Sequence, residues 1–179
     1  MKKNERLDNL RHSAAHLLAQ AVLALYPDTK LTIGPTTETG FFYDFLPTQN
    51  FKEEDLPKIE AKMRELAKKD FKIIGKQISK QEAREMFKDN KFKLELIDGI
   101  EDETVGIYCQ GDFCDLCKGG HVDSTKELKH FKLTNLAGSY WRANKDNDAL
   151  QRIYGVAFET KEDLEKYLKK IDEAKKYDH

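Results

Sequence analysis

Between Leu7 and Leu25 apolar residues recur at three- and four-residue intervals: Leu7, Leu10, Ala14, Leu17, Leu18, Ala21 and Leu25. That spacing puts them on one face of a helix and predicts α-helix from Asp8 to Tyr26, closed by Pro27. The opposite face is not charged. It carries His12, His16, Ala19 and Leu23, so the helix is expected to be covered on both sides. His12 and His16 stand four residues apart, project together, and should look into an enclosed space.

Leu31 to Tyr43 reads as two short extended pieces around Gly34-Pro35 and Gly40. Leu56, Ile59, Met63 and Leu66 form the stripe of a second helix from about Glu53 to Lys69, with Pro57 tolerated in its first turn. Phe71 to Ile78 alternates as a strand. Ser79-Lys80-Gln81-Glu82 has the form of a capping box opening a short helix to about Asp89. From Lys91 to Phe158 the pattern is β, with strands expected at Phe92–Ile97, Val105–Cys109, Leu128–Leu133, Ser139–Arg142 and Gln151–Phe158. Thr160 caps a last helix with Leu164, Tyr167, Leu168 and Ile171 on its core face, and the polar tail Glu173 to His179 is expected to fray. This order predicts an α+β fold: a mixed, largely antiparallel sheet packed against a long N-terminal helix.

Composition narrows the class. A chain of 179 residues, 39% apolar and 35% charged, suits one soluble globular domain. Leu17 to Tyr26, the longest apolar run, is too short to span a bilayer, and Met1 to Arg6 lead into no secretory segment, so a cytoplasmic protein with no membrane partner is expected. Net charge is −1, so contact with a nucleic acid must be local. Lys126, Lys129 and Lys132, interleaved with Leu128 and Phe131 on a predicted strand, are the candidates to meet phosphate. Cys109, Cys114 and Cys117 are odd in number and crowded, which favours thiol or metal chemistry in a reducing compartment over disulfides, with Cys109 and Cys114 as small core or loop residues.

Two motifs carry the chemistry. His12-x3-His16 supplies two imidazoles, and the glycine turn Cys117-Lys118-Gly119-Gly120-His121 can swing a sulfur and a third imidazole toward a common centre. Three imidazoles and a sulfur meeting at one point suit either a tetrahedral metal site or a hydrolytic pocket of acid/base groups.

Six segments carry a resemblance: Arg11-His12-Ser13-Ala14-Ala15-His16-Leu17-Leu18, Ile33-Gly34-Pro35, Gly40-Phe41-Phe42-Tyr43-Asp44, Asp115-Leu116-Cys117-Lys118-Gly119-Gly120-His121-Val122, Ala137-Gly138-Ser139-Tyr140-Trp141-Arg142 and Leu150-Gln151-Arg152-Ile153-Tyr154-Gly155. In this order the chain resembles the editing domain shared by threonyl- and alanyl-tRNA synthetases, and the last two segments resemble the threonyl branch. It departs from that family at Lys118 and Gly120, where Arg and Pro are usual, and at Ala143-Asn144, where Gly-Asp is usual.

The resemblance implies an editing domain over residues 1–160 and, over 161–179, a helical linker toward a class II aminoacylation domain. It implies hydrolysis of serine from mischarged tRNA for threonine. The 3′ aminoacylated end of tRNA and the remaining synthetase domains would be the partners. Carried over residue by residue, the catalytic group is His12, His16, Lys93, Cys117 and His121. His12 is expected as base or water-holder, with His16 and His121 lining the pocket and orienting substrate, and Lys93 as the group that neutralises the oxyanion or holds the terminal ribose or phosphate. Gly34 would form the wall excluding threonine's methyl, Tyr43 would bound the pocket or hydrogen-bond the substrate, and Asp115 would anchor the substrate's ammonium. The threonyl branch implies no cofactor; in alanyl relatives the quartet of His12, His16, Cys117 and His121 would hold zinc. The rival readings are a zinc-dependent, free-standing alanyl-type deacylase and a non-catalytic tRNA-docking or zinc module.

Overall fold

The computed structural model describes residues 3–177. The predicted N-terminal helix is present and begins earlier than expected, as α1 (Lys3–Leu25). From Leu10 to Val22 most of its residues are buried whichever way they face, as the absence of a charged face predicts, and at its end Ala24 and Leu25 turn outward. After it come β1 (Lys30–Leu31), β2 (Gly40–Leu46) and α2 (Asp55–Lys68), the last burying the predicted stripe together with Ala67. Then follow β3 (Ile74–Ser79), α3 (Lys80–Met86), α4 (Lys91–Asp98), β4 (Thr104–Gln110) and β5 (Phe113–Leu116). The chain ends with β6 (His130–Tyr140), β7 (Ala149–Phe158) and α5 (Lys161–Tyr177). The helix persists through most of the polar tail expected to fray; Asp178 and His179 lie outside the described residues.

The fold is α+β, but the strands form two sheets rather than one, and every described pairing is antiparallel. β1-β2-β7-β6 makes the larger sheet and β3-β4-β5 the smaller. The main core lies between α1, α2 and the larger sheet, where Leu17, Leu18, Ile59, Met63, Phe41, Phe45, Phe131 and Ile153 interleave. The two strands expected at Leu128–Leu133 and Ser139–Arg142 are one continuous β6, irregular between Leu133 and Asn135. Trp141 leaves its end as a core residue against Phe92 and Leu150.

Phe92–Ile97, expected as a strand, is a helix. Phe92, Leu94 and Leu96 alternate as a strand would, but Asn90 caps the segment by accepting from the Phe92 and Lys93 amides (3.0 and 3.1 Å), the short-range signal that starts a helix. As a helix, α4 ties two satellite cores together: Phe92 packs with Trp141, and Ile97 with Ala83 and Val105. Lys93, on the same buried side, is driven into the centre of the molecule and is only 2% exposed.

The reading of Cys109 and Cys114 is also corrected. They sit opposite one another on β4 and β5, Cα atoms 4.1 Å apart, and form a disulfide. Their hairpin turns through Gly111, at φ 58°, and leaves little trace in the sequence pattern because β5 is four residues long. Closing so short a loop contributes about 2 kcal/mol. Adding a thiol reductant is therefore expected to lower the melting temperature by roughly 4–8 °C for a chain of this size. Three free thiols by titration before reduction, with no change on adding reductant, would show that the bond is not formed in solution.

Candidate active site

The Cys117–His121 loop lies directly on α1. The Val122 amide donates to the Ser13 hydroxyl at 3.0 Å, and the Cys117 amide donates to the Gly106 carbonyl at 3.0 Å. The glycines permit this contact: a Cβ on Gly119 would come within 2.6 Å of His12 Nδ1, and one on Gly120 within 2.2 Å of Asn9 Oδ1. A cavity of about 220 Å³ opens beside the loop. His12, His16, Thr32, Lys93, Asp115, Cys117 and Lys118 line it together with Ile33, Gly34, Pro35, Leu96 and Leu116.

Three of the four predicted donors meet. Ligating atoms of His12, His16 and Cys117 all lie within 4.8 Å of one another. The two imidazoles stack at 5.1 Å between centroids, and Cys117 Sγ lies 3.2 Å from His12 Nε2. His121 does not join them. Its Nδ1 lies 2.6 Å from the Val122 carbonyl, its ring packs on Tyr108 at 4.4 Å, and it lines a neighbouring cavity with Arg6 and Asn9. The turn carries the histidine past the centre, a direction that residue spacing does not encode.

Beneath the imidazoles, Asp115 is a hub. Its Oδ2 accepts from Tyr43 Oη (2.7 Å) and faces His16 Nδ1 (3.2 Å); its Oδ1 accepts from Lys93 Nζ (2.5 Å) and the Leu116 amide (2.8 Å). Burial alone would raise its pKa, but the Lys93 ammonium beside it and the bond to His16 hold the carboxyl well below the usual carboxylate range. Lys93 spends its remaining donors on the Thr32 carbonyl (2.6 Å) and Tyr43 Oη (3.1 Å). Lys93, Tyr43 and Asp115 thus form a saturated floor.

Above the floor, His12 and Cys117 are both neutral. Burial, reinforced by neighbouring His16, lowers the His12 pKa to about 4, and burial raises the Cys117 thiol to about 12. At neutral pH the pair is therefore a thiol against a neutral imidazole, not an ion pair. His16 directs Nδ1 at Asp115 and leaves Nε2 buried with no partner among the described residues. An unpaired buried nitrogen costs about 1–3 kcal/mol, so this atom is set to receive a donor or a metal.

Comparison with known proteins assigns the fold to a family. The profile described as "Threonyl and Alanyl tRNA synthetase second additional domain" matches residues 105–154, which hold Asp115, Cys117 and His121. The chain is 54% identical over 175 residues to a threonine–tRNA ligase of Rubrobacter xylanophilus, covering 98% of this chain and 27% of that protein. It is 54% identical over 181 residues to one from Francisella tularensis subsp. novicida, covering 100% and 28%. The chain belongs to the family of the second additional domain of threonyl- and alanyl-tRNA synthetases. It spans a little over a quarter of the length of the curated relatives it matches.

Zinc, which the alanyl side of this family implies, can be tested against the donors present. His12, His16 and Cys117 with the open His16 Nε2 make a three-ligand set, the number a catalytic zinc uses. His121 is not part of it, and the thiol would have to ionise from a pKa of about 12. The trio fits a metal; the predicted quartet does not.

Two further residues shape the site without standing out in the sequence pattern. Thr32 holds Lys93, and Tyr108, paired across the hairpin with Asp115, packs its ring against His16 and His121. Their only signals are Thr32's place before Ile33-Gly34-Pro35 and Tyr108's register. Gly34 lines the cavity, but a Cβ there would meet the Tyr43 ring at 2.2 Å. Gly34→Ala is thus expected to act by displacing Tyr43, which is fully buried. Overpacking of this kind costs about 1–3 kcal/mol. Urea unfolding checks it: unchanged stability with altered substrate choice would return Gly34 to the role of a methyl-excluding wall.

Proposed function

We propose that this domain is the proofreading site of a threonyl-tRNA synthetase, in the cytoplasm, and hydrolyses the ester of serine mistakenly joined to tRNA for threonine. Serine lacks one methyl of threonine, worth only about 1–3 kcal/mol of discrimination in a synthetic site, so a second, smaller hydrolytic site is needed. A cavity of about 220 Å³ can admit a seryl group together with water. The observation that carries the reading is the buried, unpartnered His16 Nε2, which shares one small space with His12 and Cys117.

In the reaction a water adds to the ester carbonyl, the bond to the terminal ribose oxygen breaks, and serine leaves as the acid while the ribose regains its hydroxyl. His12, neutral at working pH, accepts a hydrogen bond from that water. His16 Nε2 receives a second donor, from the water or the substrate's ammonium. Lys93 and Asp115 position these groups: with every donor and acceptor engaged, they fix the tautomer and orientation of His16 and the place of Tyr43. Cys117 borders the water site as a thiol.

Deacylation of Ser-tRNA(Thr) and Thr-tRNA(Thr) by this chain tests the proposal. Serine is expected to be released at least about tenfold faster. Equal rates, or no hydrolysis of either at high enzyme and low salt, would overturn it. The three-donor cluster favours a second reading, a zinc-dependent deacylase of the alanyl type. In that case His12, His16 and Cys117 would hold the ion, and the chemistry it would supply is activation of water. Loss of activity on chelation, restored by zinc, would select that reading.

A further inference from the structure

A second cavity, of about 530 Å³, lies away from the candidate active site, where the end of α2 meets the 3-10 turn Thr125–Glu127 and the start of β6. Its floor is apolar, from Ala67 and Leu128. Arg64, Lys68, Lys126 and Lys129 surround it, and Asp70 is the single carboxylate in its lining. Asp70 is occupied, accepting from the Ser124 hydroxyl. Lys68, Lys126 and Lys129 are exposed and form no ion pair among the described residues.

Arg64 is fixed in the opposite manner. It donates to Glu60 (3.2 Å) and to the carbonyls of Lys129 and Phe131 (3.4 and 2.8 Å), and its guanidinium stacks 4.5 Å over the Phe131 ring. One held cation and three free ones make a preshaped positive hollow on a chain whose net charge is only −1. Sequence alternation places Lys126, Lys129 and Lys132 on one strand. Instead Lys126 lies in the 3-10 turn, Lys129 precedes β6, and Lys132 is tied to Glu60 at 3.4 Å, so only the first two reach the hollow.

We infer that this hollow docks the sugar–phosphate backbone of the RNA whose 3′ end enters the active site. The inference rests on the proposed function for the identity of the partner and adds the surface that holds it. Exposed ammonium groups around an apolar floor suit a polymer, with phosphates at the rim and ribose against Ala67 and Leu128; a small anion would call for enclosed donors. Lys126 follows Cys117 by nine positions, at most about 30 Å of extended chain, so one RNA molecule can reach both sites.

The double substitution Lys126→Glu/Lys129→Glu tests this, because neither residue touches the active-site cavity. Binding of an uncharged tRNA transcript, measured from 50 to 200 mM salt, is expected to weaken at least about tenfold. The slope of log K against log salt should fall by about 1–2, the loss of one or two phosphate contacts. KM for Ser-tRNA should rise with kcat unchanged, and hydrolysis of a seryl ester on a short 3′-terminal oligonucleotide should be unaffected. Unchanged tRNA affinity and salt slope would overturn the assignment and favour an acidic protein surface as the occupant. Failure of the unmodified chain to hydrolyse either seryl ester would sink the proposed reaction instead, while the tRNA-binding measurement would still decide the surface.

Discussion

Asp115→Asn is expected to destabilise the domain by about 3–5 kcal/mol, because it leaves the Lys93 ammonium buried without its counter-charge. The carboxylate is 1% exposed and receives four contacts, from Lys93, Tyr43, His16 and the Leu116 amide. An amide of the same shape can accept with one oxygen only and carries no charge. For a chain of this length the loss corresponds to roughly 6–20 °C in melting temperature. Adding Lys93→Met to Asp115→Asn removes the orphaned charge, so the double variant should lose less than the sum of the two single losses, by about 2 kcal/mol. Both variants that lack the Asp115 carboxylate should lose deacylation, since the group facing His16 Nδ1 at 3.2 Å is gone. The pH dependence supplies an independent sign. The folded carboxyl titrates below its unfolded value, so its stabilisation is complete above about pH 4 and is lost as pH falls through the folded pKa. Asp115→Asn should flatten that acid limb. A destabilisation below about 1 kcal/mol would mean that the floor is not held together by this pair.

The long helix and its two imidazoles were legible because a 3.6-residue period sustained over five turns has no competing reading, and because a face of His, Ala and Leu has no reason to meet water. The α+β class was legible for a similar reason. The floor of the site was legible only through the resemblance, which named Tyr43, Lys93 and Asp115, and not in the residue pattern. Phe92, Leu94 and Leu96 mimic a strand, and the cap at Asn90 was the only local sign that Phe92, Lys93 and Ile97 share a buried helical side. A buried lysine makes sense only once Asp115 is beside it, and Asp115 arrives on a four-residue strand whose pairing is tertiary information. His121 misled in the other direction. Its spacing from Cys117 suggested convergence, but the anchoring of Val122 on Ser13 and the flat seat of Gly119 and Gly120 on α1 carry it past the centre. Spacing reports which side chains can share a face of a regular element. It does not report where a glycine turn points.

His12→Ala is expected to slow hydrolysis of Ser-tRNA by about 10²–10⁴-fold, the usual worth of a positioned acid/base group. The imidazole lines the cavity against Cys117 and His16, stacking on the second and contributing no hydrogen bond to the floor. The pH profile identifies what it does. Burial, reinforced by His16, brings the His12 pKa to about 4, so the ring is already neutral across the physiological range. The acid limb of kcat/KM should then fall near pH 4, not near 6.5, where an ordinary imidazole would place it. So weak a base abstracts a proton poorly but accepts a hydrogen bond well, which makes it a holder of the attacking water. His12→Gln, which keeps an acceptor but cannot take a proton, should therefore retain more activity than His12→Ala. Equal loss in the two variants, with an acid limb near 6.5, would make His12 the proton acceptor. Folding provides a check that needs no substrate. Between pH 6.5 and 4 the unfolded chain binds a proton at His12 that the folded chain refuses, so stability should rise with pH across that window. In His12→Gln this part of the rise should vanish, since glutamine does not titrate and the remaining carboxylates act lower on the scale.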